Sequence, residues 1–517
     1  MTKRILTLVL AVLMTAALCG CGGGESAAAP AETNTQVSTG STGEKLYGGE
    51  ITVGIAADLD SSLDPHVSSA SAGTREVLFN VFEGLMKPDS EGNLIPAVAE
   101  DYTVNETADE YTFILREGVR FHNGETVTVG DVVYSLKRAA GLETGEVLVD
   151  TLSGIASVEA ADDRTVVITL SAPDAEFIAY TTVGIIPEGN DPAEEMVGTG
   201  PFKYISRTVQ DNIVLEKFAD YWGKGAYVDK VILKVIEDGQ TLVMSLQSGA
   251  IDMAIHLTAT QVAELGGMNV LEGSMNLVQA LYLNHNVEPF NDVRVRQALC
   301  YILDKQMIID LAGAGHGTAL GSAVYPAFGK FYNDETTNYY ETNVEKAKQL
   351  LAEAGYPDGL SFTITVPSNY TPHVETGEVM VELLRQAGID AKLEQVEWAT
   401  WLSEVYQGGN FDTTITGLVA STLAASSLLE RYTSDSEKNF IGYVSEAYDE
   451  AYEKAVTTVD EAAQVEAFKE CQRILTEEAA SVYTQDLAEF VAMQPDVGGY
   501  EFYPLYVMDL ATIYRIG

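Results

Sequence analysis

Six histidines, four cysteines and 76 acidic side chains are the groups in this chain that could carry chemistry. His66, His122, His256, His285, His316 and His373 are scattered, and no two stand three or four residues apart. A helix that offers a metal ion two ligands needs that spacing, so no local metal site and no cofactor are expected. The chain contains no H-E-x-x-H, no G-x-S-x-G and no paired C-x-x-C. The motif-bearing zinc proteases, α/β-hydrolases and zinc or redox modules are therefore disfavoured, and an enzyme is not expected. His122, within RFHNGE, reads as a hydrogen-bonded turn residue. GAGHGTALG (Gly313–Gly321) has the glycine content of a phosphate cradle, but it follows a helical stretch and runs toward Tyr325-Pro326. A dinucleotide loop follows a strand and opens a helix, so this segment reads as a plain loop. Cys300 and Cys471 fall at apolar-periodic helical positions and read as small buried hydrophobes, with a disulfide between them as the open alternative.

The other two cysteines end a leader. Lys3-Arg4 precedes the apolar run Ile5–Leu18, which is shorter than the ~20 residues that span a bilayer and fits an export signal. Leu18-Cys19-Gly20-Cys21 places an apolar residue at −3 and a small one at −1 from Cys21, in the manner of a bacterial lipobox. Residues 1–20 are thus expected to be a lipoprotein signal peptide, with lipidation at Cys21. Residues 21–47, rich in small and polar types, are expected to be a flexible tether that holds a folded body outside the cell membrane. The formal charge of −46 repels nucleic acid and anionic headgroups, so no nucleic-acid partner is expected.

The elements that must position any site are legible by period. GEITVGIA (49–56) reads as a strand, and TREVLFNVFEGLMK (74–87) as a helix with Val77, Leu78, Val81, Phe82 and Leu85 on one face. EYTFILREGVRF (110–121) alternates as a half-buried strand. Thr128 caps the helix in TVGDVVYSLKRAA with Asp131 three residues on. DDRTVVITL (162–170) turns into a strand. In the second half VRVRQALCYILDKQMIIDLA reads as one helix. VEKAKQLLAEAG and GEVMVELLRQAG are helices stopped by Gly355 and Gly388, and each leads into a strand, LSFTITV (360–366) and DAKLEQVE (390–397). Two helices, SEAYDEAYEKAVTT and DEAAQVEAFKECQRILTEEA, precede a β-like tail. The alternation predicts α/β units with a mostly parallel sheet. From Lys45 onward roughly 470 residues remain, enough for two or three cores, with a ligand cleft between lobes.

Several blocks, in order, resemble the family-5 extracellular solute-binding proteins of ABC importers, of the oligopeptide-, dipeptide- and nickel-binding type. They are FNVFEGLMKPDSEGNLIPAVAEDYTV, YTFILREGVRFHNGETVTVGDVVYSLKR, VGTGPFKY (197–204) and SLQSGAIDMA (245–254). LNHNVEPFNDVRVRQALCYILDK (283–305), AKQLLAEAGYPDG and LLRQAGIDAKLEQVEWATWLSEVYQGGNFD continue the series. The resemblance implies an α/β, two-lobe periplasmic-binding-protein fold of cluster C, type II, with a cleft between lobes. Lobe one would be 48–279 plus 487–517, with an extra subdomain at about 66–196, and lobe two 280–486. Hinge crossings would lie near Leu281–Asn284 and Leu487–Val491. It implies a lipid-anchored, monomeric, extracytoplasmic receptor that closes on a small solute, most often a peptide, and hands it to permease subunits.

One departure bears on the ligand. Peptide-binding relatives usually carry a Gly-Trp segment followed by an aspartate that neutralises the peptide ammonium. Here the matching stretch is ITGLVASTLAASSLLERY (415–432), with Leu418 where tryptophan is usual and Ser421 where aspartate is usual. A buried ammonium without a counter-charge costs several kcal/mol, so either another acid serves or the ligand differs. An oligosaccharide or other non-peptide solute is the competing reading, with Trp398, Trp401 and Tyr406 as stacking faces. Nickel is disfavoured because no histidine follows His373. Arg431, Asn439 and Tyr443 stand where relatives return to the cleft and are carried as ligand contacts with Trp398, Trp401, Leu418 and Ser421. A secreted hydrolase and a surface adhesin or sensor are the remaining alternatives.

Overall fold

Strand Ser481–Met493 organises the molecule: it carries a thirteen-residue run with every residue except Ala488 buried. In this computed structural model, which describes residues 43–67 and 71–517, that strand pairs antiparallel with two separate sets of neighbours. Ser481 to Gln485 pair with Leu277–Leu283, and the stretch from Ala488 to Met493 pairs with Met253–Leu257 and Asn269–Ser274. The expected signal peptide 1–20, Cys21 and the expected tether up to residue 42 lie outside the described residues. Lys45–Leu46 already pairs with Tyr514–Ile516, so the end of the expected tether belongs to the fold.

The main sheet runs in the order Asp390–Val396, Ser361–Pro367, Thr413–Val419, Leu277–Leu283, Ser481–Met493, Met253–Leu257, Glu50–Ile55, Lys230–Val235, Asn212–Lys217 and Phe202–Thr208. The expected mostly parallel sheet is instead mixed. Parallel pairing is confined to the three strands at each αβ crossover, 361–367 with 390–396 and 413–419, and 50–55 with 253–257 and 230–235. Helix–strand alternation marks those crossovers, but it carries no sign of the long return strand that runs antiparallel between them.

Each end of the sheet has its own core. Ile51, Val53, Phe202, Val231 and Val491 pack on one side of the crossing strand, and Leu281, Ile364, Leu384 and Ile415 on the other. A third cluster gathers Tyr282, Trp401, Tyr432, Tyr448 and Phe468. Strands Ala99–Val104, Glu110–Leu115, Thr165–Leu170 and Ile155–Ala160 form a separate antiparallel sheet. The helix Val129–Ala139 packs on it through Val132 and Leu136, against Phe113 and Ile168. Its Thr128–Asp131 capping box is present as read: the Asp131 N–H donates to Thr128 Oγ1 and the Thr128 N–H to Asp131 Oδ2. Thr128→Ala substitutions of this kind cost about 1 kcal/mol.

Two helices differ from expectation. The helix read over 74–87 spans only Ala72–Leu78, because Asn80 is claimed by the C-terminal segment. Its side chain donates to the Met508 carbonyl (2.7 Å) and accepts from the Leu510 N–H (2.8 Å). Val81, Phe82 and Leu85 are buried all the same, in a turn that feeds two cores. The single helix read over 293–312 is two, Val293–Ile302 and Lys305–Ala312, because Asp304 turns to cap the second by accepting from the Met307 N–H. The Gly-Thr-Gly-Pro turn has a steric cause. A β-carbon at Gly198 would overlap the Val81 carbonyl, and one at Gly200 the Asn80 carbonyl.

Candidate functional site

The two halves of the sheet meet along a buried polar seam. Gln279, on Leu277–Leu283, donates from Nε2 to His373 Nδ1 (2.9 Å). Its Oε1 accepts from Thr376 Oγ1 (3.1 Å) and Gln485 Nε2 (2.9 Å), and its main-chain carbonyl accepts from Thr484 Oγ1 (2.8 Å). Burial pushes the His373 imidazole down to about 4, so it is neutral and free to accept. One residue along, Asp486 is 1% exposed. Its Oδ1 accepts from the Leu277 N–H (3.1 Å), while Oδ2 has no partner among the described residues. Burial pushes this carboxyl up to about 8, against the pull of the Leu277 and Asn276 amides. Leu277 in turn lies opposite Val419, so Asp486 sits one strand away from the end of the segment that carries Leu418 and Ser421.

On the lobe-one side a titratable cluster closes the seam. His256 donates from Nε2 to Glu76 (3.1 Å), and its Nδ1 lies 2.6 Å from Glu489 Oε1, close enough for an ion pair but off line for a hydrogen bond. The Tyr506 ring stacks on the imidazole at 4.9 Å and 19°. Burial favours the neutral imidazole, but Glu76, Tyr506 and Glu489 together outweigh it and hold the pKa well above the ordinary value. His256 is a cation flanked by two carboxylates. It reaches this position with φ of +56°, where the ladder of Met253–Leu257 against Ser481–Met493 slips register between Ala254 and Leu257. A left-handed non-glycine residue costs about 1–3 kcal/mol and is characteristic of sites where a side chain must be aimed.

On the lobe-two side stands a row of rings. Trp398 stacks on Trp401 (5.1 Å, 13°), Trp401 on Tyr406 (6.0 Å, 28°), and Tyr406 packs against Phe440 (5.2 Å). Tyr370 meets Trp398 edge-on at 5.4 Å. The row grades from core to surface. Trp401 is 3% exposed with its indole N–H donated to Thr414 Oγ1 (2.9 Å), whereas Trp398 is 39% and Tyr370 44% exposed. The residues Trp401–Gln407 wind as a π-helix, which widens the turn that seats Trp401 and Tyr406. At the end of the row Arg431 donates from Nη1 to Tyr406 (3.2 Å) and makes no ion pair among the described residues, and its Nε is buried without a partner. Burial raises the Tyr506 phenol, and the charges of Glu489 and Glu76 raise it further against the pull of His256.

The residues read from sequence therefore divide. Trp398, Trp401 and Arg431 belong to one aromatic–cation row. Leu418 lies on Thr413–Val419 opposite Val278, half-buried. Ser421 is exposed in the loop that follows. Asn439 and Tyr443 spend their polar groups on the protein. Asn439 Nδ2 donates to the Thr433 and Tyr443 carbonyls (3.0 and 2.7 Å), and Tyr443 donates its hydroxyl to Glu478 (2.7 Å). His122 is a hydrogen-bonded turn residue, with Nε2 3.0 Å from the Gly200 carbonyl. Cys300 and Cys471 are free and buried. Gly313–Gly321 holds a three-residue strand against Ser481–Met493. Sequence reasoning passed over His256, Glu76, Asp486, Glu489, Tyr370 and Tyr506. The SLQSGAIDMA block ends two residues before His256, and the expected hinge crossing Leu487–Val491 contains Glu489, but neither reading assigned a site role there.

A family model for the middle region of the bacterial extracellular solute-binding proteins, family 5, matches residues 93–440. The chain is a family-5 solute-binding protein. The glutathione-binding protein GsiB of Salmonella typhi is 28% identical over 471 residues, covering 85% of this chain and 91% of that one. Two solved structures align over 91% of this chain and 99% of theirs. They are the DppA binding protein of Helicobacter pylori with the peptide STSA (25% identity, TM-score 0.77) and AgaA of A. tumefaciens R10 with agropinic acid (28%, TM-score 0.75). A family-5 protein is the extracytoplasmic substrate-binding component of an ABC importer, built as two lobes around a cleft. No helix among the described residues is long and apolar enough to cross a membrane.

Proposed function

We propose that this binding protein captures a short peptide, or a solute with the same zwitterionic ends, between the aromatic row and the His256 cluster. The carrying observation is charge placement. Arg431 offers a guanidinium with no carboxylate partner among the described residues, while Glu76 and Glu489 outnumber the single His256 cation on the facing side, and Asp486, held neutral by burial, can ionise against a ligand ammonium. A ligand carboxylate suits the first and an ammonium the second, each replacing water with a charge-assisted hydrogen bond. The acid missing at Ser421 is then supplied from the crossing strand by Asp486 and Glu489. Two relatives' ligands, glutathione and the peptide STSA, belong to this class, whereas agropinic acid offers a carboxylate without an ammonium.

The hinge passes through Leu277–Leu283 and Ser481–Met493, the two strands that join the halves, with lobe one near 48–279 plus 487–517 and lobe two near 280–486. Ligand touching both lobes stabilises the closed form by its differential affinity. The protein acts as a monomer, tethered through lipidated Cys21, and passes its cargo to permease subunits without transforming it. The exposed Tyr370–Trp398 pair also favours a second reading, in which a sugar ring stacks on that face.

Native mass spectrometry of leader-free protein, followed by identification of what co-purifies, separates these readings. Mixed short peptides are the expected result, whereas an uncharged glycan would replace the first reading with the second. A melting-temperature shift with a peptide panel adds a quantitative check, since ligand at a hundred times Kd stabilises by about 2.7 kcal/mol.

A further inference from the structure

The loop that carries Ser421 and Arg431 is gripped from the other side of the molecule. Glu176 lies just ahead of the turn Phe177–Thr182, which packs under the four-stranded sheet. Its carboxylate is 6% exposed. One oxygen accepts from the Ala425 N–H at 2.7 Å and the other from the Ser426 N–H at 3.0 Å. The Tyr180 hydroxyl lies 3.2 Å from Ser426 Oγ, and the Ala175 N–H donates to the Val456 carbonyl at 3.3 Å, on helix Glu446–Thr457. Three adjacent contacts thus join two regions some 250 residues apart in sequence, and no cation pairs with the Glu176 carboxylate among the described residues.

We propose that Glu176 is a positioning residue for the binding cleft, a clasp by which the small four-stranded subdomain holds the Ala420–Tyr432 loop, and with it Arg431, in its binding register. This proposal rests on the reading of a hinged binding protein. A carboxylate that accepts two main-chain N–H groups fixes both the position and the direction of the chain that offers them, so the Ser426 turn cannot shift without breaking both bonds. Leu428, Leu429 and Tyr432 anchor the C-terminal half of the loop in the core, and the Tyr448 hydroxyl donates to the Leu429 carbonyl (2.6 Å), but Ser421 is exposed and Arg431 makes a single side-chain hydrogen bond.

The clasp also links closure to protons. The groups around Glu176 are Asp174 on its own segment, Tyr180 in the following turn, Tyr111 on the four-stranded sheet and Tyr452 on helix Glu446–Thr457, with Glu430 of the gripped loop beyond Tyr180 and Tyr452. Lys438 is engaged with Glu430 at 2.7 Å. Burial is the largest influence and pushes the Glu176 carboxyl from 4.5 up to about 7, although the Ser426 and Ala425 groups pull it down. A raised carboxyl binds a proton more tightly when clasped than when exposed. An opening that returns Glu176 to water is therefore opposed most below pH 4.5 and opposed less as pH rises through about 7, by at most about tenfold per pH unit.

Small-angle X-ray scattering of the ligand-free, leader-free protein from pH 5 to 8 tests the clasp without any ligand. Wild type is expected to be more compact at the acid end and to expand toward pH 8. Glu176→Gln, which resembles the protonated acid, is expected to keep one radius of gyration across the range. Glu176→Ala, which removes both acceptors, is expected to be the more open form throughout, with an unchanged circular dichroism spectrum. The proposal is overturned if Glu176→Gln follows the wild-type pH profile, or if wild type shows no profile and Glu176→Ala matches it in radius. Ligand-induced compaction in all three proteins would still uphold the hinged reading, so the two can fail separately.

Discussion

Asp486 and the two tryptophans carry the sharpest expectations at the residue scale. A carboxyl raised from 3.8 to about 8 favours its protonated form in the native state. Its contribution is present in full below pH 3.8 and is lost as pH rises through about 8, at no more than about 1.4 kcal/mol per pH unit. Asp486→Asn keeps an acceptor for the Leu277 N–H and never ionises. Its melting temperature is expected to match wild type at the acid end and to exceed it near pH 8, with weaker binding of a free-ammonium peptide. Equal melting curves for the two proteins from pH 5 to 9 would remove the buried ionisation. Trp398 and Trp401 separate stability from binding. Trp401→Ala empties a buried site and frees Thr414, at a cost of about 3–5 kcal/mol. Trp398→Ala is expected to cost under about 1 kcal/mol in denaturant titrations yet weaken binding at least several-fold. A large stability loss in Trp398→Ala would mark it as packing alone.

At the scale of elements, tertiary contacts set the boundaries where local pattern did not. The Thr128 cap held because both of its bonds are local. The helix before Asn80 stopped short because Asn80 serves a segment more than 400 residues away. Gly198 is part of the same junction, where the Gly-Thr-Gly turn lies against the Asn80–Val81 backbone. Gly198→Ala forces a β-carbon into a main-chain oxygen that cannot swing aside, and a loss of roughly 2 kcal/mol or more is expected by chemical denaturation. A neutral result would mean that this turn yields. The π-helical winding at Trp401–Gln407 belongs to this scale too, since it sets the ring spacing that a regular helix would alter.

For the whole molecule, the crossing strands decide what can move. Leu277–Leu283 and Ser481–Met493 are the covalent links through the sheet, and the Glu176 grip is a non-covalent link outside it. A bound tripeptide is expected to lower the radius of gyration of wild type at pH 8, where the clasp contributes least. No change on saturation with a peptide that raises the melting temperature would mean that the cleft is already shut. The chain's −46 formal charge bears on solubility and on the permease encounter more than on the ligand, because the cleft groups that matter are few and locally arranged.

The sequence by itself determined the αβ crossovers, the cap at Thr128, and the order of blocks that mark the family. Each of these depends on neighbours a few residues apart. Only the tertiary structure decided that the sheet is mixed, that His256 is aimed through a left-handed bulge between Glu76 and Glu489, and that Arg431 ends an aromatic row without a counter-ion. Those arrangements join residues from both ends of the chain, and no local period, composition or spacing encodes which distant carboxylate a buried cation will meet.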